Sequence, residues 1–234
     1  MKKLLFHVLF LIIVVGDLVG EFSQNQWIDL TFKPLIMIWI GSYFLYHAKG
    51  MDKVVKKLAV LAFLFSWIGD LFMIFMNSGF VFFVMGIVSF LFAQGFYIFL
   101  FLHTIELSGK KPFLKKQPYW LIFYLAFGLV FYIVLFNHLE SVLRFAVFVY
   151  IAAILTMSSM ALNRYGNGHP VSFVCVFAGS LLFVASDSMI AINRFLVPIP
   201  FEGVFIMATY ISAQYLIMRG LLKQYETESV NLQI

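Results

Sequence analysis

Eight apolar runs, each about as long as a bilayer is thick, follow one another from residue 4 to residue 222 with little chain between them. A span needs about 20 residues. Hydrocarbon offers no water to backbone N–H and C=O groups, so each run must close its own hydrogen bonds as a helix. The runs cover about 4–20, 28–46, 58–76, 80–102, 119–136, 142–162, 171–192 and 204–222. Overall 63% of the residues are hydrophobic and 12% charged, against roughly 45–50% and 25% in soluble domains. The expected fold class is therefore all-α: a polytopic membrane protein, a bundle of about eight transmembrane helices. Residues 1–222 form one transmembrane domain and 223–234 a short polar tail. Lys2 and Lys3 before the first run resemble a signal peptide, but seven more runs follow, which predicts an uncleaved first helix. Lys33-Pro34 opens the second span, where proline is tolerated near a helix start.

All but three of the 16 Lys and Arg residues fall on one side of this arrangement, the exceptions being Lys33, Arg144 and Arg194. By the positive-inside rule both termini, and the tail, are expected in the cytoplasm of a cell that holds the protein in its inner membrane. The net charge of +5 then belongs to loops between spans, and no nucleic-acid partner is expected. Cys175 is the single cysteine, so no intrachain disulfide and no thiol-pair metal site is expected. The five histidines scatter over spans and loops. A zinc site wants two or three His or Cys ligands converging, so neither metal nor cofactor is expected.

Asp70 and Asp187 stand out because each lies well inside an apolar run. A carboxyl group at that depth costs about 2.5–3.5 kcal/mol on insertion scales, which points to a partner or to chemistry. From Lys57 to Asp70 is roughly 20 Å of helical rise, and from Pro170 to Asp187 roughly 25 Å. With both spans running outward, the two carboxyls reach a similar depth toward the outer leaflet and are expected to share one pocket. Asp17 falls in the same half of span one, nearer a helix end where water can reach it. Ser66 and Asp70 are four apart on one helical face, as are Tyr210 and Gln214, while Gln94 and Tyr97 are three apart. Lys33 and Arg194 lie near outer span ends, where they can meet an anionic headgroup; interhelical hydrogen bonding is the plainer role for the neutral polar residues.

A pair of acids in a greasy pocket is expected to hold one proton between them, leaving one acid and one base. That suits protonation of a weakly basic substrate followed by water attack on an oxocarbenium-like cation. It equally suits a proton relay in a transporter.

The runs FSWIGDLFM (65–73), GIVSFLFAQGFYIFLF (86–101), FAGSLLFVASDSMIAINRF (177–195) and ATYISAQYLI (208–217), with Lys33-Pro34, resemble the lysoplasmalogenase-like YhhN family of multi-pass membrane proteins. The resemblance covers spans two to four and six to eight. It implies an eight-helix bundle that hydrolyses the vinyl ether bond of lysoplasmalogens, releasing a fatty aldehyde and a glycerophospho-base. By position it implies Asp70 and Asp187 as the catalytic pair and Lys33, Tyr210 and Gln214 as further polar site positions. Where the family motif in span four is expected to carry histidine, this chain carries Gln94, which hydrogen-bonds but does not titrate.

The expectation is thus a membrane-embedded ether hydrolase with a lysophospholipid substrate. One aspartic acid protonates the terminal vinyl carbon and the other activates water. Lys33 or Arg194 holds the phosphate, and Gln94, Tyr97, Asn193, Tyr210 and Gln214 complete the substrate site. The alternative is a lipid-binding protein or proton-coupled transporter that uses the same acidic pair.

Overall fold

The computed structural model describes residues 2–231. The helices are α1 (Lys2–Ser23), α2 (Gln26–His47), α3 (Lys53–Ile74), α4 (Phe80–Leu107), the single turn α5 (Phe113–Lys116), α6 (Trp120–Phe136), α7 (Ser141–Asn163), α8 (Pro170–Phe195) and α9 (Glu202–Asn231). Among the described residues no strand occurs. Seven of these helices are long and apolar enough to cross a membrane. The fifth expected span falls on α6, apolar throughout but only 17 residues long. At 1.5 Å per residue it rises about 25 Å, near the short limit for a span. Its outer face, from Ile122 to Val134, is exposed Leu, Ile, Val and Phe, a surface suited to lipid.

Helix starts follow local chemistry. Asn25 caps α2 by accepting from the Trp27 N–H, and Asp52 caps α3 by accepting from Val54 and Val55. At α8 the His169 side chain accepts from Val171, with Pro170 as the first helical residue. Several elements outrun their apolar runs, because capped polar turns continue the helix past the hydrocarbon. Lys53 to Lys57, expected in a basic loop, are the first turn of α3. Pro34 also sits deeper than expected: α2 begins at Gln26, so the proline lies inside the helix and removes an interior N–H. Its carbonyl accepts from Trp67 Nε1 at 3.1 Å, tying α2 to α3. Residues 193–195 form the last turn of α8, and α9 runs on through the expected polar tail to Asn231.

Sequential helices pack as antiparallel pairs, with α3 against α4 and α8 against α9 the most intimate. At Gly179 a Cβ would stand 2.8 Å from the Ala213 carbonyl oxygen, so only glycine lets α8 approach the α9 backbone this closely. Small residues at such crossings are how membrane helices gain packing when lipid removes the hydrophobic drive. One main core, from Ile13 on α1 to Leu222 on α9, fills the centre of the bundle. A smaller cluster around Leu135, Val147 and Ile151 joins α6 to α7.

Candidate active site

Tyr210 on α9 donates to Oδ2 of Asp70 on α3 at 2.9 Å. One turn earlier on α3 and one turn later on α9, Gln214 Nε2 donates to Ser66 Oγ at 2.9 Å. The i, i+4 pairs predicted on α3 and α9 therefore face each other as two rungs of a ladder. The amide oxygen of Gln214 accepts from the Tyr97 hydroxyl of α4 at 2.5 Å. Ser66, Tyr97, Asp70, Tyr210 and Gln214 are all buried. Each rung satisfies groups that hydrocarbon could not.

Asp187 on α8 has a different partner. The Tyr150 hydroxyl of α7 donates to its Oδ2 at 2.5 Å. Asp70 and Asp187 do not hydrogen-bond each other, but both line one cavity of about 250 Å³. Lys33, Arg194, Asn193, Tyr210, Glu21 and Glu202 line the same cavity, giving it a polar wall. On the other side of Asp187 opens a narrow slot of about 70 Å³ between α4, α6, α7 and α8. Apart from Asp187, Tyr150 and Ser188 its walls are apolar, with Phe90, Phe127, Phe131, Val147 and Ile151 prominent. Met73, Phe83, Phe90, Asp187 and Ile190 belong to both spaces. A carboxyl group thus stands where a polar chamber meets a greasy one.

The sequence model of the YhhN family matches residues 28–221. The chain belongs to the YhhN family. It is 28% identical to lysoplasmalogenase TMEM86A of Bos taurus, over 87% of this chain and 82% of the relative. The Homo sapiens protein of the same name is likewise 28% identical over 87% of this chain and 82% of its own length. Lysoplasmalogenase TMEM86B of Sus scrofa is 31% identical over 67% of this chain and 59% of its own length. No solved structure matches.

The other expected positions in this YhhN protein divide into two groups. Lys33, Asn193, Arg194 and Tyr210 reach the cavity, as Asp70 and Asp187 do. Lys33 pairs with Glu21, Arg194 lies over the Phe83 ring at 5.1 Å, and the Asn193 side chain accepts from the Ile199 N–H, closing the turn after α8. Gln94, Tyr97 and Gln214 stand behind the wall instead. Gln94 approaches Tyr150, yet neither atom of its amide makes a well-formed hydrogen bond. Tyr150 and Glu21 escaped the sequence reading. A tyrosine amid VFVYIAA and a glutamate four residues from Asp17 were the available signals.

Proposed function

We propose that this YhhN protein hydrolyses the vinyl ether bond of lysoplasmalogens, giving a fatty aldehyde and a glycerophospho-base. The observation that carries the reading is the junction at Asp187 between the polar cavity and the apolar slot. A lysoplasmalogen has the same division: a charged headgroup, a hydrocarbon chain, and the vinyl ether between them. The names of the mammalian relatives support the same substrate class.

In this reading the headgroup phosphate lies against Lys33 or Arg194, and the chain enters the slot with the vinyl ether beside Asp187. Asp187, as the carboxylic acid, gives its proton to the vinyl carbon remote from oxygen. The carbon next to the ether oxygen becomes an oxocarbenium ion. Tyr150 holds one oxygen of Asp187 and leaves the other for the proton. Asp70, held by Tyr210, takes a proton from water as the water oxygen bonds to the cationic carbon. The hemiacetal then breaks its bond to the glycerol oxygen, which takes the proton from Asp70, while Asp187 takes the hydroxyl proton as the aldehyde forms, returning both acids to their starting states. General acid–base help of this kind is worth about 10²–10⁴-fold in rate. No direct bond between the two acids is required, because they act on different atoms.

With most Lys and Arg at the opposite end of the bundle, the positive-inside rule turns the cavity toward the outer leaflet. The decisive experiment is aldehyde release from a lysoplasmalogen by purified protein, with Asp70→Asn and Asp187→Asn beside it. Full activity in either variant overturns the two-aspartate mechanism. Proton-dependent solute uptake into proteoliposomes, with no aldehyde from any ether lipid, would make the same acids a transporter's relay.

A further inference from the structure

The turn between α1 and α2 gathers three carboxyl groups that the ether chemistry does not use. Asp17 and Glu21 lie four apart on α1, and Asp29 and Lys33 four apart on α2, so each helix offers one pair on one face. Gln24, at φ +52°, and Asn25 fold α2 back along α1 and set the pairs against each other. One carboxylate oxygen from each of Asp17, Glu21 and Asp29 then lies within 4.8 Å of the other two. Three carboxyl groups thus converge, and the ammonium of Lys33 beside them is paired with Glu21.

A second observation marks this as more than a cluster of acids. Asp17 is 0% exposed, and neither of its oxygens accepts a hydrogen bond. Oδ1 of Asp29 is also buried without a partner. Buried polar atoms are almost always partnered, and a buried carboxylate without a partner is among the costliest groups to leave so. Gly20 lets Oδ1 of Asp29 pack directly against α1, since a Cβ there would fall 2.2 Å from it.

We propose that Asp17, Glu21 and Asp29 bind one divalent cation of the calcium type. Carboxylate oxygens are the donors that hard cations take. Magnesium is usually held by one or two carboxylates and its own waters, whereas calcium takes more oxygen ligands in a flexible geometry. Three carboxylates whose oxygens all lie within 4.8 Å of one another suit the larger ion. Glu21 also lines the polar cavity, which gives the ion a route in and water to complete its shell. A search for converging His and Cys misses such a site, because all three ligands are carboxylates. The inference does not depend on the ether chemistry and is read without any lipid.

The test uses the full chain, purified in detergent, stripped with a chelator and titrated with CaCl₂ or MgCl₂. Expected are a saturable heat of one calcium per chain, a thermal midpoint raised by several degrees, and a weaker response to magnesium. Asp17→Asn and Asp29→Asn should each abolish both signals, while Asp52→Asn, remote at the start of α3, keeps them. Should Asp17→Asn fail to fold, Asp29→Asn carries the test, because Asp29 is only partly buried. Identical midpoints with chelator and with calcium, or calcium binding that survives both variants, overturns the proposal and leaves protons as the neutralising species.

Discussion

The Tyr150 hydroxyl donates to Asp187 across the α7–α8 contact at 2.5 Å, at the point where the polar cavity gives way to the apolar slot. The bond orients the carboxyl without neutralising it. Tyr150→Phe should therefore lower aldehyde release by about tenfold, leaving KM nearly unchanged, whereas Asp187→Asn should lower it by at least about 10²-fold. Steady-state rates on a lysoplasmalogen separate the two; equal losses would mean the tyrosine takes part in proton transfer itself.

The apolar slot predicts a steric effect on chain length. Ala146 lines it on α7, and Ala146→Trp should shift preference toward lysoplasmalogens with shorter vinyl chains while leaving the charged wall intact. Competition between short- and long-chain substrates, read by mass spectrometry of the aldehydes, checks this. An unchanged ratio would place the chain elsewhere.

Gln214 serves two partners at once, Tyr97 and Ser66. Gln214→Leu strands both in a buried site and should destabilise the protein by about 1–2 kcal/mol. Thermal unfolding in detergent reads the loss. Double variants with Tyr97→Phe should lose less than the sum of the two single losses.

The α8–α9 approach makes Gly179 sensitive to any side chain. Gly179→Val has to push the helices apart against backbone and should cost about 1–3 kcal/mol. Asp187 rides on α8, so activity should fall as well. Gly95, which has open space around it, is the control: Gly95→Ala should be silent in both assays.

Asp52 caps α3 outside the spans, and the Val55 N–H, then the Val54 N–H and His103, hold its carboxyl below the ordinary 3.8. A depressed carboxyl stabilises the fold above its unfolded value and loses that contribution as pH falls through its folded value. The gap in stability between the parent and Asp52→Asn should thus hold steady above about pH 5 and close below about pH 4. Its size should stay under about 1 kcal/mol, since the side chain is partly exposed. Denaturation series at several pH values provide the reading.

The apolar helices, their order and the space shared by Asp70 and Asp187 were legible in the sequence because the bilayer imposes length and hydrophobicity on every run. The α3–α9 ladder was half legible: spacing put Ser66 with Asp70 and Tyr210 with Gln214, but nothing in spacing says which helix faces which. Tyr150 was invisible for another reason. A tyrosine among valines and isoleucines serves equally as an interfacial or a core residue, and only the α7–α8 crossing directs it onto Asp187. Helix ends were misjudged where capped polar turns extend past the apolar run, as at Lys53–Lys57 and Asn193–Arg194.

Asp70 finds its hydroxyl partner 140 residues later in the chain, on the last helix. At about 5–20 residues per second, a ribosome needs on the order of ten seconds to cover that distance. Through that interval the third helix sits in the membrane with a bare acid, and every product stopped before the ninth keeps it bare. Only a chain that includes the ninth helix is freed of that burden.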